Sequence, residues 1–570
     1  EENSHNKWPE NTRILLVEDN RVNQMVALSV LKNIGFITPE TFKVDVTVNG
    51  VESEMLFQED ARKELLERNL RREGPIFEGD ESLLWDNGMV LRNDRVSLSR
   101  LVNDNWFLKG KSSRYISLHA YKRLQLAYLA RVDQKTGDFI QPNKVNSEIF
   151  HYYHFVMLAL EGSHGLAPHN RKFYYNSFID DFEPIYYDGD LLGTKIADLN
   201  NEVLSFMGSA DWKFWSTELQ SNSVRDAANY HFNQRSKLNR DASNKAFLSF
   251  WQKFTSNLLI IDNIMRKKMK FQGIKPFDTL SYDEFLERAE ILIPGTSFIS
   301  TIVDKGKASY ETLSSKGIKQ ELSAEEVASI IKRNKLGDSR ESLVDSNLSP
   351  GLEAVTHYSF GEGKLFVSDA TSVKINVSSK EVIISQEDSR AWAYFNNVDL
   401  DGWEIKFLGL IGNEILDGQR FNSFGFTGCL NFYDTTFNNT DIFVDNGTCE
   451  DSLNIVMSRG KLNKITVNNA MADAIDLDFS NLDLLAVRVN KARNDCLDVS
   501  GGNYRVSNID GNNCFDKFMS VGEKSIMSVQ NVYAKNALIG ISAKDFSEVT
   551  VNNGRFEDVE TCFEAFQKKE

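Results

Sequence analysis

Two histidines five residues apart, an Asn beside the second and an Asp eighteen positions beyond it make residues 155–190 the segment richest in usable chemistry. The order is His164, His169, Asn170 and Arg171, then Tyr174 and Tyr175, then Asp188 and Asp190. A loop with a polar base and an Asn, followed after a hairpin by an Asp, is an arrangement that phosphoryl-transfer enzymes use. The amide oxygen of Asn170 and the carboxylate of Asp188 are hard ligands of the kind magnesium takes, and a loop histidine can orient or deprotonate an acceptor hydroxyl. His164, His169 and Asp188 also make a set that zinc accepts, although the loop lacks the i, i+4 helix spacing of zinc-binding histidine pairs. The plainer alternative is a hydrogen-bonded turn around Pro168.

Positioning these groups requires a helix, a loop, a strand, a turn, a second strand and an acidic loop, and the hydropathy pattern supplies them in that order. Tyr174 and Tyr175 alternate on the first strand and would keep the two loops in register. The aromatic run His151–Phe155 reads as the preceding core helix, and the charge run Arg62–Arg72 as a solvated helix face.

This segment resembles the CotH family of atypical kinases, named for the spore-coat protein kinase, and more distantly HipA-type kinases. The likeness extends upstream. Gly35–Gly50, ending in Asn49-Gly50, followed by Met55-Leu-Phe-Gln-Glu59, looks like that family's strand–turn–strand running into its Glu segment. It spans roughly residues 25–200, with helices to about 330 completing a carboxyl lobe. The resemblance implies ATP- and magnesium-dependent transfer to a hydroxyl, that of a Ser or Thr on a surface, coat or secreted protein. Asn170 and Asp188 would hold the magnesium, with Asp190 as a second ligand. Glu59 would orient a phosphate-binding lysine or the metal, with Lys63 and Arg171 as further nucleotide contacts. Two positions depart from the family pattern. The catalytic-loop Asp is missing from residues 162–169, so His164 or His169, and after them Glu161, would act as base. The family's nucleotide lysine lies upstream of residue 25, where this chain has Lys7 alone.

Residues 13–35 resemble the first strand and helix of a response-regulator receiver, with Glu18 and Asp19 where magnesium-binding acids belong. The rest of a receiver does not follow, because Met55 onward reads as a helix opening rather than the required third strand. The match is taken as coincidence or graft.

The carboxyl-terminal part repeats. Asp451-Ser-Leu-Asn-Ile-Val, Asp473-Ala-Ile-Asp-Leu-Asp, Asp495-Cys-Leu-Asp-Val-Ser and Asp516-Lys-Phe-Met-Ser-Val start 22, 22 and 21 residues apart. Short alternating strands at that period, with no helical segment and no leucine framework, predict a parallel β-helix. Leu453, Ile475, Leu497 and Phe518 should stack inward, and Asp451, Asp473, Asp495 and Asp516 should stack near a turn. The acid column is read first as a set of turn caps bonding local N–H groups, and secondarily as a calcium or sugar ladder. Cys429/Cys449 and Cys496/Cys514 are expected to be small inward-facing residues rather than disulfides. All nine prolines fall at or before Pro350, which suits an uninterrupted sheet after it.

The fold class expected is therefore multidomain α+β: a protein-kinase-like domain over 1–335 (short amino lobe about 1–90, helical carboxyl lobe about 91–335), a linker over 336–360, and an all-β solenoid over 361–570. Within the first part, Ser281-x-x-Glu284 and Ser323-x-x-Glu326 read as capping boxes, and residues 245–268 as an amphipathic helix. With 65 Lys+Arg against 81 Asp+Glu, the net charge of −16 argues against a general nucleic-acid binder. No run approaches the roughly 18 apolar residues of a membrane span. The amino end lacks a signal-peptide pattern and looks processed or truncated. The expected cofactors are Mg2+ and ATP, with Ca2+ an option in the β-helix. The expected partners are a protein acceptor and a polysaccharide or cell surface, at or outside the envelope of a bacterium. Two other function classes stay open: an inert surface or adhesion protein, and a polysaccharide-acting β-helix enzyme.

Overall fold

The computed structural model describes residues 21–80, 98–130, 142, 148–189, 191, 212–236, 240–267, 280–292, 297–304, 307–314, 319–332, 342–345, 355–389, 391–410, 420–422 and 424–568. Two compact units emerge, Glu1–Leu108 with Ser117–Pro350, and Lys109–Ile116 with Gly351–Glu570. The expected receiver-like acids Glu18 and Asp19, the upstream Lys7 and the candidate ligand Asp190 lie outside the described residues.

Up to residue 350 the chain runs α1 (Arg21–Asn33), β1 (Thr41–Val48), β2 (Val51–Gln58), α2 (Lys63–Arg68), β3 (Ile76–Asp80), β4 (Leu98–Leu101), α3 (Asp104–Phe107), α4 (Lys111–Leu129), α5 (Glu148–Ala159), β5 (Lys172–Asn176) and β6 (Asp181–Ile185). It continues with α6 (Trp212–Leu219), α7 (Asn222–Arg235), α8 (Arg240–Lys267), α9 (Tyr282–Leu292), β7 (Ser297–Asp304), β8 (Lys307–Ser314), β9 (Lys319–Leu322), α10 (Ala324–Lys332) and β10 (Ser342–Val344). The sheet that matters for chemistry is antiparallel, in the order β4-β3-β5-β6. Its neighbour in sequence is the β1–β2 hairpin, closed by Asn49 and Gly50 at φ 53° and 80°. Positive φ at both central residues is what a two-residue hairpin turn of matching twist needs, and Asn-Gly tolerates it best. β2 continues through Gln58, so Met55 and Phe57 belong to a strand and the helix opens only at Lys63. The sequence pattern misplaced that boundary, because Met55, Phe57 and Leu65 fit either period until the partner strand is known.

The helices pack around α8. Its Phe247, Phe250, Phe254, Leu258 and Ile261 are buried with Val26 and Leu31 of α1 and Phe155 and Leu158 of α5. Each such side chain contributes about 1.5–3 kcal/mol on burial. Both expected capping boxes are present. Ser281 N–H donates to Glu284 Oε2 at 2.8 Å while Glu284 N–H donates to Ser281 Oγ at 3.2 Å, and Ser323 with Glu326 repeats the exchange at 2.7 and 3.2 Å. Residues 342–344, inside the stretch expected as linker, pair in parallel with β7.

After residue 354 the described chain is all β: a solenoid of about eight turns. It opens with antiparallel pairs, Val355–Phe360 on Gly363–Ser368 and Thr371–Asn376 on Glu381–Gln386, and then winds in parallel register. Leu453, Ile475 and Leu497 stack as expected, as do Asp451 and Asp473. Phe518 does not join that stack. Cys496 N–H donates to Lys517 O, which sets Phe518 beside Cys496, and Met519 pairs with Ile541 instead. At this step the coil still advances by 22 residues, so the 21-residue step to Asp516 was a shift in motif rather than in register. Lys517, not Asp516, takes the next place in the acid column, its N–H on Asp495 Oδ1 at 2.9 Å.

The cysteine expectation is corrected. Cys429–Cys449 and Cys496–Cys514 are disulfides with Cα–Cα distances of 5.3 and 5.4 Å. A coil returns the chain to within one strand spacing after about 22 residues, so cysteines 18–20 apart meet at the turn. Cys562 is a free, exposed thiol.

Candidate active site

Helix α5 delivers the chain into two consecutive 3₁₀ turns, Ser163–Leu166 and Pro168–Asn170, which carry both candidate histidines and the Asn. Pro168 at the first position of the second turn has no N–H to satisfy, which suits a helix start. Tyr128 of α4 donates its hydroxyl to Pro168 O at 2.8 Å and ties this loop to the unit's core. Gly79 of β3 lies directly beneath. A Cβ there would stand 2.0 Å from Pro168 O and 2.5 Å from His169 Cα, so only glycine allows the loop to rest on the strand. Gly165 makes a similar approach to Tyr187 O, which a Cβ would meet at 2.8 Å. The 3₁₀ loop is thus clamped between β3 and the segment that follows β6.

Within that clamp the candidates meet around His164. The Asn170 side chain is buried and donates Nδ2 to His164 O at 3.1 Å, which leaves Oδ1 as its acceptor and ligand atom. Asp188, at φ 39°, brings Oδ2 to 3.4 Å from His164 Nε2. The rings of His164 and His169 stand edge to face with centroids 6.4 Å apart. His164 is about half exposed; Asp188 is less so.

The other candidates are elsewhere. Glu59 accepts from Glu40 N–H at 2.9 Å and pairs with Arg68, while Lys63 pairs with Glu67 one helical turn on. Arg171 points to the opposite face of β5, 1% exposed, with Nη1 on His154 Nε2 at 2.9 Å and its guanidinium among Phe150, Tyr153 and Phe173. Burial pulls its pKa down and holds His154 well below the usual imidazole value. Arg171 packs the core rather than facing the loop, because its extended backbone at the start of the strand sends it away from Lys172. Glu161, the reserve base, is buried against Lys253 at 2.6 Å. In the charge run, Arg71 is drawn in to pair with Glu183.

Two sets of residues had escaped the sequence reading. Lys172, two positions past Asn170, places Nζ 2.7 Å from Glu78 on the facing strand, and Arg100 of β4 reaches the same carboxylate at 2.6 Å. Burial raises the Glu78 carboxyl, but Lys172 and Arg100 outweigh it and hold the pKa below the ordinary value. Lys172 also lies 4.0 Å from the centre of the Tyr187 ring, one residue before Asp188. At the far end of the β5–β6 hairpin, Asp180 accepts from Arg123 Nη1 at 2.8 Å, meets His119 Nε2 at 3.0 Å and takes the Tyr175 hydroxyl. Burial pushes Asp180 up, yet His119, Arg123 and Tyr175 bring it to about 2, while burial lifts Asp181 to about 7 despite Arg123. That cluster locks the hairpin turn.

In the solenoid, Asp473 Oδ1 accepts the N–H of Asp495 at 2.7 Å and the Asn494 amide at 2.7 Å, and Asp495 Oδ1 accepts the N–H of Lys517. These are the turn caps expected of the column. Among the described residues no group of three or more His, Cys, Asp and Glu side chains is disposed to hold a metal ion, and no helix is long and apolar enough to cross a membrane. No family model and no curated protein matches the chain.

Proposed function

We propose that the amino-terminal unit is a CotH-like kinase that transfers the γ-phosphoryl group of ATP to a Ser or Thr hydroxyl of a surface, coat or secreted protein. The observation that supports this reading is that Asn170 bonds the main-chain carbonyl of His164 while the Asp188 carboxylate lies 3.4 Å from the His164 ring. Asn170 Oδ1 and Asp188 Oδ1 are the oxygens that would hold magnesium, which when bound neutralises phosphate charge. His164, steadied by Asp188 Oδ2, takes the proton as the acceptor oxygen forms its bond to the γ-phosphorus and the bond to the bridging oxygen of ADP breaks. The buried hydrogen bonds of Asn170 and Tyr128 fix the loop before substrate arrives, which is where such transfer gains most of its rate. The solenoid would present the enzyme to a wall, coat or glycan, and two disulfides suit an oxidising compartment.

Incubation of the full chain with labelled ATP, magnesium and a generic protein acceptor tests the reading. Incorporation lost in Asp188→Ala is expected; equal incorporation in both proteins would remove it. The lack of an Asp among residues 162–169 favours a second reading, an inert surface protein that keeps the architecture without turnover. ATP with magnesium separates the two, since a nucleotide present at one hundred times its dissociation constant raises stability by ~2.7 kcal/mol.

A further inference from the structure

Just past α5, Glu161 holds a backbone position that suits a different residue. Its N–H donates to Leu158 O at 2.9 Å and Gly162 N–H donates to Met157 O at 2.8 Å. The two bonds make a paired helix C-cap whose left-handed residue is Glu161, at φ 55°. Glycine is what such a position prefers, because a side chain is strained there. The glycine instead comes one residue later, at φ −99°, and is small for another reason. A Cβ on Gly162 would stand 2.9 Å from Leu191 Cδ2 and 3.4 Å from Gly189 O. Gly162 therefore brings the loop entry against the segment that follows Asp188.

Two further costs fall on the Glu161 side chain. A carboxylate beyond a helix C-terminus faces the negative end of the helix dipole. The side chain is also buried, with the residue 5% exposed, and Lys253 of α8 is the cation that meets it, at 2.6 Å. Lys253 is nearly half exposed, and a pair so open to solvent adds little stability. Nor does the helix end need Glu161 to be held. Asn257 of α8 donates Nδ2 to Ala159 O at 2.9 Å and ties the two helices by itself.

A residue disfavoured in three ways, three positions before His164, points to a role in the site rather than in the fold. We infer that Glu161, held by Lys253, is a positioning residue that fixes the loop entry so that the His164 ring meets Asp188. This rests on the kinase reading above. With its carboxylate engaged by α8, Glu161 acts through His164 and takes no proton from the acceptor.

Phosphoryl transfer and thermal unfolding of the helical signal, measured on the full chain, test this in Glu161→Gly, Glu161→Gln and Lys253→Met. Glu161→Gly supplies the residue that the backbone prefers, so its midpoint should stay level or rise by a few degrees. Its kcat should nonetheless fall about tenfold or more, as misplacement of a catalytic loop does. Glu161→Gln keeps the strain and loses the charge, and it should lose kcat to a similar degree, as should Lys253→Met. Combining Glu161→Gly with Lys253→Met should lower kcat no further than either alone, since the two act as a unit. A lowered midpoint with a matching loss of kcat in Glu161→Gly would mark a structural residue and overturn the inference. Full kcat in any of the single variants would overturn it too, and in both cases the kinase reading stands. Absence of transfer by the wild-type chain would remove both.

Discussion

The clamped loop holds a carboxylate against a histidine ring and the acid column holds carboxylates on backbone N–H groups, and the two are built by opposite routes. Around His164 every position depends on a different element: α5 feeds the loop, Tyr128 of α4 tethers it, Gly79 of β3 admits it, and the segment after β6 brings Asp188. In the solenoid, each position is set by the adjacent rungs. Asp473 is placed by Asp451, and Asp495 by Asp473. Singular construction leaves no redundancy, whereas iterated construction gives rigidity that tolerates local change.

The sharpest way to break the solenoid side of this contrast is to open its staples. Each disulfide closes a loop of 20 or 18 residues, worth about 3 kcal/mol by loop closure. Reduction, or Cys496→Ser with Cys514→Ser, should therefore lower the chemical-denaturation midpoint of the β signal while the helical signal holds. In the other unit, Gly79→Ala forces a Cβ onto Pro168 O and should cost about 2 kcal/mol. Circular dichroism at helical wavelengths would report that loss, and the phosphoryl transfer proposed above should fall with it.

Acidity offers a third lever, of smaller size. Burial and the neighbouring Asp451 and Asp495 push the Asp473 carboxyl up, and burial with Asp498 lifts Asp495 to about 6. The unfolded values lie near 3.8, so the folded column holds more protons between those limits. Its stability contribution is full below about pH 4 and is lost as pH rises through 6 and beyond. Thermal unfolding of the β signal should accordingly soften from pH 5 to pH 8, and Asp473→Asn should flatten the slope. Asp180 in the other unit has the opposite sign. Its carboxyl near 2 stabilises above pH 4 and fails only on strong acidification. The smallest effect expected is that of Ser281→Ala, about 1 kcal/mol, from loss of one helix cap. Differential scanning calorimetry at neutral pH is sensitive enough to see it.

How much of this was readable in the chain follows the same division. The Asn49-Gly50 turn, both capping boxes and the Leu453–Ile475–Leu497 stack come from contacts close in sequence or repeated at a fixed interval. Around the site, the helix–loop–strand–turn–strand order was legible, and so was the neighbourhood of His164 with Asn170 and Asp188. Arg171 was not, because nothing local says that its guanidinium turns into a cage built by α5 and β5. Lys172 and Glu78 stayed hidden for a related reason: 94 residues separate them (172 − 78), and only the strand register joins them. The disulfides and the placement of Phe518 required knowing where each coil turns, which one-residue ambiguities in a 21- or 22-residue motif conceal.

Because every carboxylate in the Asp473–Asp495 run is quenched by the amide of the coil that comes after it, the stack has a direction. A ribosome laying down this chain leaves each newest acid bare until its successor winds into place, so closure advances like a zip with a one-way slider. Trimming from the carboxyl end would run the slider backwards, stranding an anion at whatever coil becomes last.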